Sequence, residues 1–142
     1  AAEVELVLLA SGADPLSQKA LRASSGAIFH MPYERLGENE QDARIKLSER
    51  LVLASKGGYQ IVGTYVSSDK ESDIAMPYWD LDWRKKTILV LGNEGSGINS
   101  AIKGICTHKI TLPHNEFVES LNVASSAVPL LLERRRAKMT YK

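Results

Sequence analysis

Apolar residues along this chain fall into short runs, and the polar stretches between them carry helical spacing. Residues 4–10, Val-Glu-Leu-Val-Leu-Leu-Ala, read as a mostly buried strand ending at a Gly12-Ala13-Asp14-Pro15 turn. A helix is predicted over 16–29, with Pro15 near its start and Pro32 beyond its end. From Glu40 to Lys56, Ile45, Leu47, Leu51 and Leu53 are set among charged residues as in an amphipathic helix, which Gly57-Gly58 stops. Residues 60–67 read as the next strand and 68–86 as a charged loop containing Pro77-Tyr78-Trp79. The run 87–91 suits a parallel strand buried on both faces. It leads into a glycine-rich turn and a short helix to about Cys106. A last strand over 109–112, a loop over 113–119 and a helix from Ser120 to about Lys138 complete the chain, with a kink expected at Pro129.

Strands alternating with helices imply an α/β layer with a mostly parallel sheet. At 142 residues the chain is read as one domain, 1–142, with one substantial core. A chain that is 44% hydrophobic and 25% charged matches an ordinary globular domain and excludes a disordered one. Its apolar runs, 88–91 and 128–132, are too short for a bilayer, so no membrane partner is expected. No basic, apolar and small-residue leader opens it, and an intracellular location is expected. The single cysteine, Cys106, excludes an internal disulfide, suggests a reducing compartment and reads as a buried structural thiol. With three widely spaced histidines, no metal site is expected.

A net charge of +1 argues against a generic nucleic-acid coat, but its distribution is uneven. The last nine residues carry five cations, Arg134, Arg135, Arg136, Lys138 and Lys142, and no acid. They could dock on phosphates, or simply complement the dipole at a solvated helix end.

Two segments carry the chemistry. The first is Leu91-Gly92-Asn93-Glu94-Gly95-Ser96-Gly97-Ile98, between a buried strand and a helix. A tight turn would explain two glycines. Three, with an acid among them at the carboxyl end of a strand, fit a ligand loop better. Neither the dinucleotide fingerprint nor the Walker loop is satisfied. The second is Leu112-Pro113 followed by Ser120-Leu121-Asn122-Val123-Ala124-Ser125-Ser126-Ala127. Ser120 sits where a helix N-cap belongs. The small residues 124–127 permit close approach of another backbone, within the domain or from a partner subunit.

Together these segments resemble the second and third motifs of the SpoU family, RNA ribose 2′-O-methyltransferases of the SPOUT superfamily. Those motifs read Leu-Gly-X-Glu-Gly-X-Gly-Ile and, after Ile-Pro, Ser-Leu-Asn-Val-Ser-X-Ala. Upstream, Pro15-Leu16-Ser17 with Lys19-Ala20 and Ser24-Ser25-Gly26-Ala27 is similar to the family's Pro-Leu-Ser and Lys-Ala-Ser-Ala-Gly-Ala segment, and Ile61-Val62-Gly63-Thr64 also matches. The resemblance implies a C-terminal trefoil knot, a homodimer packed through the knot region, S-adenosyl-L-methionine as cofactor and rRNA or tRNA as partner. Carried over by position, Gly63, Thr64, Gly92, Leu112 and Leu121 would bind the cofactor. Glu94, Ser120 and Asn122 would be the catalytic polar residues beside the methyl and the ribose.

This sequence departs from the family in two places. The first motif, Asn-X-Gly-X-X-X-Arg-Thr-Ala, should precede Val4, so the domain's N-terminal strand and helix, with the arginine that handles the ribose hydroxyl, are expected to be missing. His114-Asn115-Glu116 stands where the family has a short apolar residue and a glycine. These departures leave open a catalytically silent RNA-binding or ribosome-assembly protein that keeps the knot. The stretch Tyr78-Trp79-Asp80-Leu81-Asp82-Trp83 resembles mitochondrial large-subunit rRNA members, which implies the mitochondrion as one expected location and leaves the cytoplasm as the other. The same aromatics either stack bases or anchor a long loop.

Overall fold

A computed structural model describes residues 2–12, 14–65, 75–93, 96–113 and 122–140. The chain forms two compact units, 3–50 and 51–142.

In the first unit β1 (Val7–Leu9) pairs in parallel with β2 (Tyr33–Arg35), Val7 opposite Tyr33 and Leu9 opposite Arg35. Val7 N–H donates to the Pro32 carbonyl at 3.0 Å and Leu36 N–H to the Leu9 carbonyl at 2.9 Å, extending the pairing at both ends. β1 is shorter than the apolar run predicted. β2 has no strand pattern of its own; the Tyr-Glu-Arg triplet is extended because β1 offers it a ladder.

α1 (Gln18–Ser24) starts after Ser17, whose hydroxyl accepts from Ala20 N–H at 3.2 Å. The helix predicted over 16–29 is broken at Ser25 (φ 49°) and Gly26 (φ 78°), two consecutive left-handed residues that end α1 and re-aim the chain into a 3₁₀ turn, Ala27–His30.

α2 (Glu40–Lys56) has the bounds its sequence predicts. Its start is doubly capped. Asn39 Oδ1 accepts from Asp42 N–H at 2.9 Å while Asp42 Oδ2 accepts from Glu38 N–H at 3.0 Å. Glu40–Arg44 and Asp42–Lys46 pair along its exposed face. At its other end Gly58, at φ 89°, donates to the Ser55 carbonyl.

The second unit is built on a four-stranded sheet in which every pairing is parallel, in the order β4-β6-β3-β5: β3 (Gln60–Tyr65), β4 (Met76–Pro77), β5 (Thr87–Val90) and β6 (His108–Thr111). β3 is central, and all of it except Thr64 is buried. Val62 and Ile110 turn to one face and join Leu81, Trp83 and Leu130 of α4 (Val123–Met139) in the core. Gly63 turns to the other face, toward Ile98 and Cys106 at the two ends of α3 (Ser100–Ile105). Helices thus cover both faces, which is why these strands read as apolar runs rather than alternating ones.

The segment 68–86, expected to be a loop, contains β4 and a 3₁₀ turn, Tyr78–Asp80. Met76 pairs opposite Ile110, and Trp83 is buried with its indole N–H donating to the Tyr78 carbonyl at 2.7 Å. α4 is continuous through Pro129.

Candidate functional site

Because the strands are parallel, their carboxyl ends form one row. Gly63 lies opposite Val90 of β5, while Thr64 and Tyr65 lie opposite Ile110 and Thr111 of β6. The chain therefore leaves β5 into Gly92 and leaves β6 into Leu112 at the same end of the sheet, one on each side of β3. At a strand spacing of about 4.8 Å the two exits are about 10 Å apart. In open α/β sheets ligands bind outside this end. Four of the sequence-predicted cofactor residues, Gly63, Thr64, Gly92 and Leu112, meet there. Glu94, Ser120 and Leu121, together with His114 and Glu116, lie outside the described residues.

The glycines have roles that spacing alone does not reveal. A Cβ on Gly92 would overlap the Gly97 carbonyl and sit 2.6 Å from Ile98 N. The close approach that requires glycine at 92 is the loop folding on itself. Asn93 N–H to the Gly97 carbonyl (3.1 Å) and Gly97 N–H to the Asn93 carbonyl (3.0 Å) close that loop. Gly97, at φ 67°, faces open space. At Gly63 a Cβ would sit 2.9 Å from Cys106 Sγ and 3.2 Å from the Tyr65 ring, so glycine here lets α3 pack against β3. Thr64 Oγ1 donates to the Val90 carbonyl at 3.1 Å, which fixes its hydroxyl between β3 and β5.

α4 begins later than expected. Asn122, not Ser120, is its N-cap: the Asn122 Oδ1 accepts from Ser125 N–H at 3.2 Å, and its own carbonyl accepts from Ser126 N–H and Ser126 Oγ at 2.8 and 3.0 Å. The first helical residue is Val123. Asn and Ser cap about equally well, and the capping geometry decides between them. The carboxamide of Asn122 is thereby held at the mouth of α4.

Three features were not foreseen. Lys103 and Lys109 lie 5.2 and 5.4 Å from the centroid of the buried Tyr65 ring, which puts positive charge beside the strand ends. The two lysines come from α3 and β6, and no local pattern signals their meeting. Arg134 turns inward: one Nη donates to the carbonyls of Trp83 and Lys85, each at 2.9 Å, so this cation of the basic tail holds the chain entering β5. Gln60, buried, ties the same stretch from the sheet side through Asp82 O (3.0 Å) and Thr87 Oγ1 (2.8 Å).

Cys106 is partly buried, and its thiol contacts the Ile102 carbonyl at 3.3 Å. Burial raises its pKa, with Lys109 opposing the rise. That is a structural thiol and not a nucleophile. Among the described residues no group of three or more His, Cys, Asp and Glu side chains could hold a metal ion, and no helix is long and apolar enough to cross a membrane.

Known proteins are similar to this chain in sequence and in fold. A sequence from Synechocystis, an uncharacterized tRNA/rRNA methyltransferase, is 30% identical over 129 residues, covering 91% of this chain and 42% of that protein. The crystal structure of an RNA 2′-O ribose methyltransferase superposes with a TM-score of 0.76 at 26% identity, over 97% of this chain and 48% of that one. A SpoU methyltransferase from Streptomyces viridochromogenes, crystallised in complex with the cofactor AdoMet, has the same fold, with a TM-score of 0.75 at 24% identity over 96% and 48% of the two chains. The chain spans about half the length of these proteins. The model of the SpoU rRNA methylase family matches residues 1–132. With that match extending across both motif segments and the six strands among the described residues, the chain belongs to the SpoU rRNA methylase family.

Proposed function

We propose that this chain holds S-adenosyl-L-methionine across the carboxyl ends of β5, β3 and β6 and serves methyl transfer to a ribose 2′-hydroxyl of rRNA or tRNA. The observation that carries the reading is the departure of both motif loops from one end of the sheet, flanking Gly63 and Thr64. The relatives' names, a tRNA/rRNA methyltransferase and an RNA 2′-O ribose methyltransferase, and the AdoMet complex of the Streptomyces enzyme support it.

The residues present fit the group. A nucleoside laid across strand ends needs adjacent backbone exits a few strand spacings apart, open space over a glycine and little side-chain bulk. The uncovered Gly97 supplies the open space, and the chain leaving β5 at Gly92 and β6 at Leu112 supplies the two exits. When bound, the cofactor supplies a methyl already activated on a sulfonium. The protein's work is then alignment and proton removal. Gly92, Leu112 and Leu121 would hold it through backbone groups, with Gly63 and Thr64 toward its adenosyl end. Thr64 is suited to this because Val90 prevents its hydroxyl from rotating. Asn122, immobilised by its cap bonds, would orient the ribose hydroxyl together with Ser120, and Glu94 would organise the glycine loop.

The trefoil knot and a homodimer packed through it belong to the same proposal. Val128, Leu132 and Met139 make an exposed apolar stripe along one face of α4, spaced at helical intervals, which supports a second copy as its cover.

Isothermal calorimetry with S-adenosyl-L-methionine tests the core of the reading. Binding by the chain is expected, with loss in Gly92→Ala. Absence of binding alongside retained affinity for rRNA would overturn it in favour of a silent RNA-binding protein.

A further inference from the structure

The aromatic stretch before β5 is split in its fate. Trp83 is 2% exposed and belongs to the core, while Trp79 is 54% exposed. Trp79 meets Tyr78 edge to face, ring centroids 5.2 Å apart at 72°, and lines an open cleft of about 280 Å³. Leu81, Trp83 and Ala137 contribute to the lining, and Arg84 and Arg136 stand in its walls. None of the residues at the strand ends lines it.

Each wall arginine is held by its own carboxylate. Arg84 Nε lies 2.8 Å from Asp82 Oδ1, and Arg136 Nη2 lies 2.6 Å from Glu133 Oε1. These pairs keep Asp82 and Glu133 ionised but neutralised, and they fix two planar guanidinium groups beside an exposed indole. The lining itself holds Asp80, Asp82 and Glu133 against Arg84 and Arg136, and the adjoining stretches add Lys85, Lys86, Arg135 and Lys138 around it, while Arg134 is turned inward onto carbonyls. A cleft of this volume is at the small end of ligand sites and takes one ring system rather than a folded element. An aromatic face with a basic surround is how single-stranded nucleic acid is gripped: the base stacks, and the backbone tracks the cations.

We propose that this cleft is an accessory RNA contact in which one unpaired base of the substrate stacks on Trp79, away from the strand ends where the methyl is transferred. The inference rests on the RNA-methyltransferase reading for the identity of its ligand, but on separate residues. Asp80, exposed on the cleft, can accept from the exocyclic amine of such a base. The strand-end pocket would then act on a ribose whose strand is anchored at two points.

The test is a fluorescence titration of the chain with an oligocytidylate about eight nucleotides long, whose bases carry that exocyclic amine. Trp83 is shielded, so the expected quench comes from Trp79 and disappears in Trp79→Leu. Trp79→Ala should weaken oligonucleotide binding roughly tenfold, Trp79→Phe should restore most of it, and both should bind S-adenosyl-L-methionine as the parent chain does. An unquenched parent chain, or equal oligonucleotide affinity in Trp79→Ala and the parent, would overturn the proposal. Failure to bind the cofactor would count against the methyltransferase reading instead, since Trp79 is not part of that site.

Discussion

The two units of this chain are stabilised in opposite ways. In 51–142, Ile61, Val62, Ile110 and Leu130 have no exposed surface, and Trp83 is nearly as enclosed. In 3–50 the buried apolar residues among those described are Leu36 and Ala43, and both strands are three residues long. Much of what orders the first unit is polar and local: the Ser17 cap, the Asn39–Asp42 reciprocal cap and the Glu34–Arg50 pair. A core resists substitution steeply because each buried methylene counts, whereas solvated caps and ion pairs are each worth about 1 kcal/mol or less. Both motif loops depart from the unit with the deep core, where strand positions are held most firmly.

The largest expected effect, then, is in that core. Trp83→Ala removes a buried ring and orphans the Tyr78 carbonyl, and should cost about 3–5 kcal/mol by denaturant unfolding. A loss below about 1 kcal/mol would erase the contrast between the units. Next is Gly92→Ala, where the new methyl meets the Gly97–Ile98 backbone. About 1–3 kcal/mol of strain is expected, with cofactor binding reduced further than stability alone explains. Asn122→Ala should cost about 1 kcal/mol through the lost cap. If Asn122 also orients the ribose, turnover falls much more than cofactor affinity, and Asn122→Ser, a comparable cap, restores stability without restoring turnover. Equal loss of both would show a purely structural residue.

In the first unit Arg50→Ala breaks a two-pronged bond to Glu34, at 3.1 and 3.0 Å, but both side chains are about 45% exposed. Less than about 1 kcal/mol is expected, screened further by salt. The smallest effect is in pH. Hydrogen bonds from Arg84 hold the Asp82 carboxyl down to about 2, against an ordinary 3.8. A depressed carboxylate contributes its stability above the ordinary value and loses it as pH falls through about 2. Carboxyl chemical shifts followed by NMR should therefore show Asp82 titrating near 2, and Arg84→Ala should return it toward 3.8.

Much of the architecture was legible from local pattern. α2 has the predicted ends because Asn39 and Gly58, the residues that cap it, are neighbours in sequence. β3, β5 and β6 were found within a residue or two, since a strand buried on both faces must be a short apolar run. The two motif loops stood out by their resemblance to the family's motifs, and local pattern placed both of them next to strand ends.

What tertiary structure alone decided is whatever depends on a partner distant in sequence. The triplet Tyr33-Glu34-Arg35 and the pair Met76-Pro77 become strands because β1 and β6 present open ladders, not from propensity. Arg134, a plausible phosphate ligand by composition, spends its guanidinium on carbonyls about 50 residues earlier. Trp79 and Trp83, four positions apart in one motif, differ because one backs onto Leu130 and its neighbours and the other does not. The residue types and local spacings are written along the chain. Which loops share an end of the sheet, which cation is turned inward and which ring stays exposed follow from the packing that brings remote strands and α4 together, where burial and hydrogen-bond satisfaction choose among options that are locally equivalent.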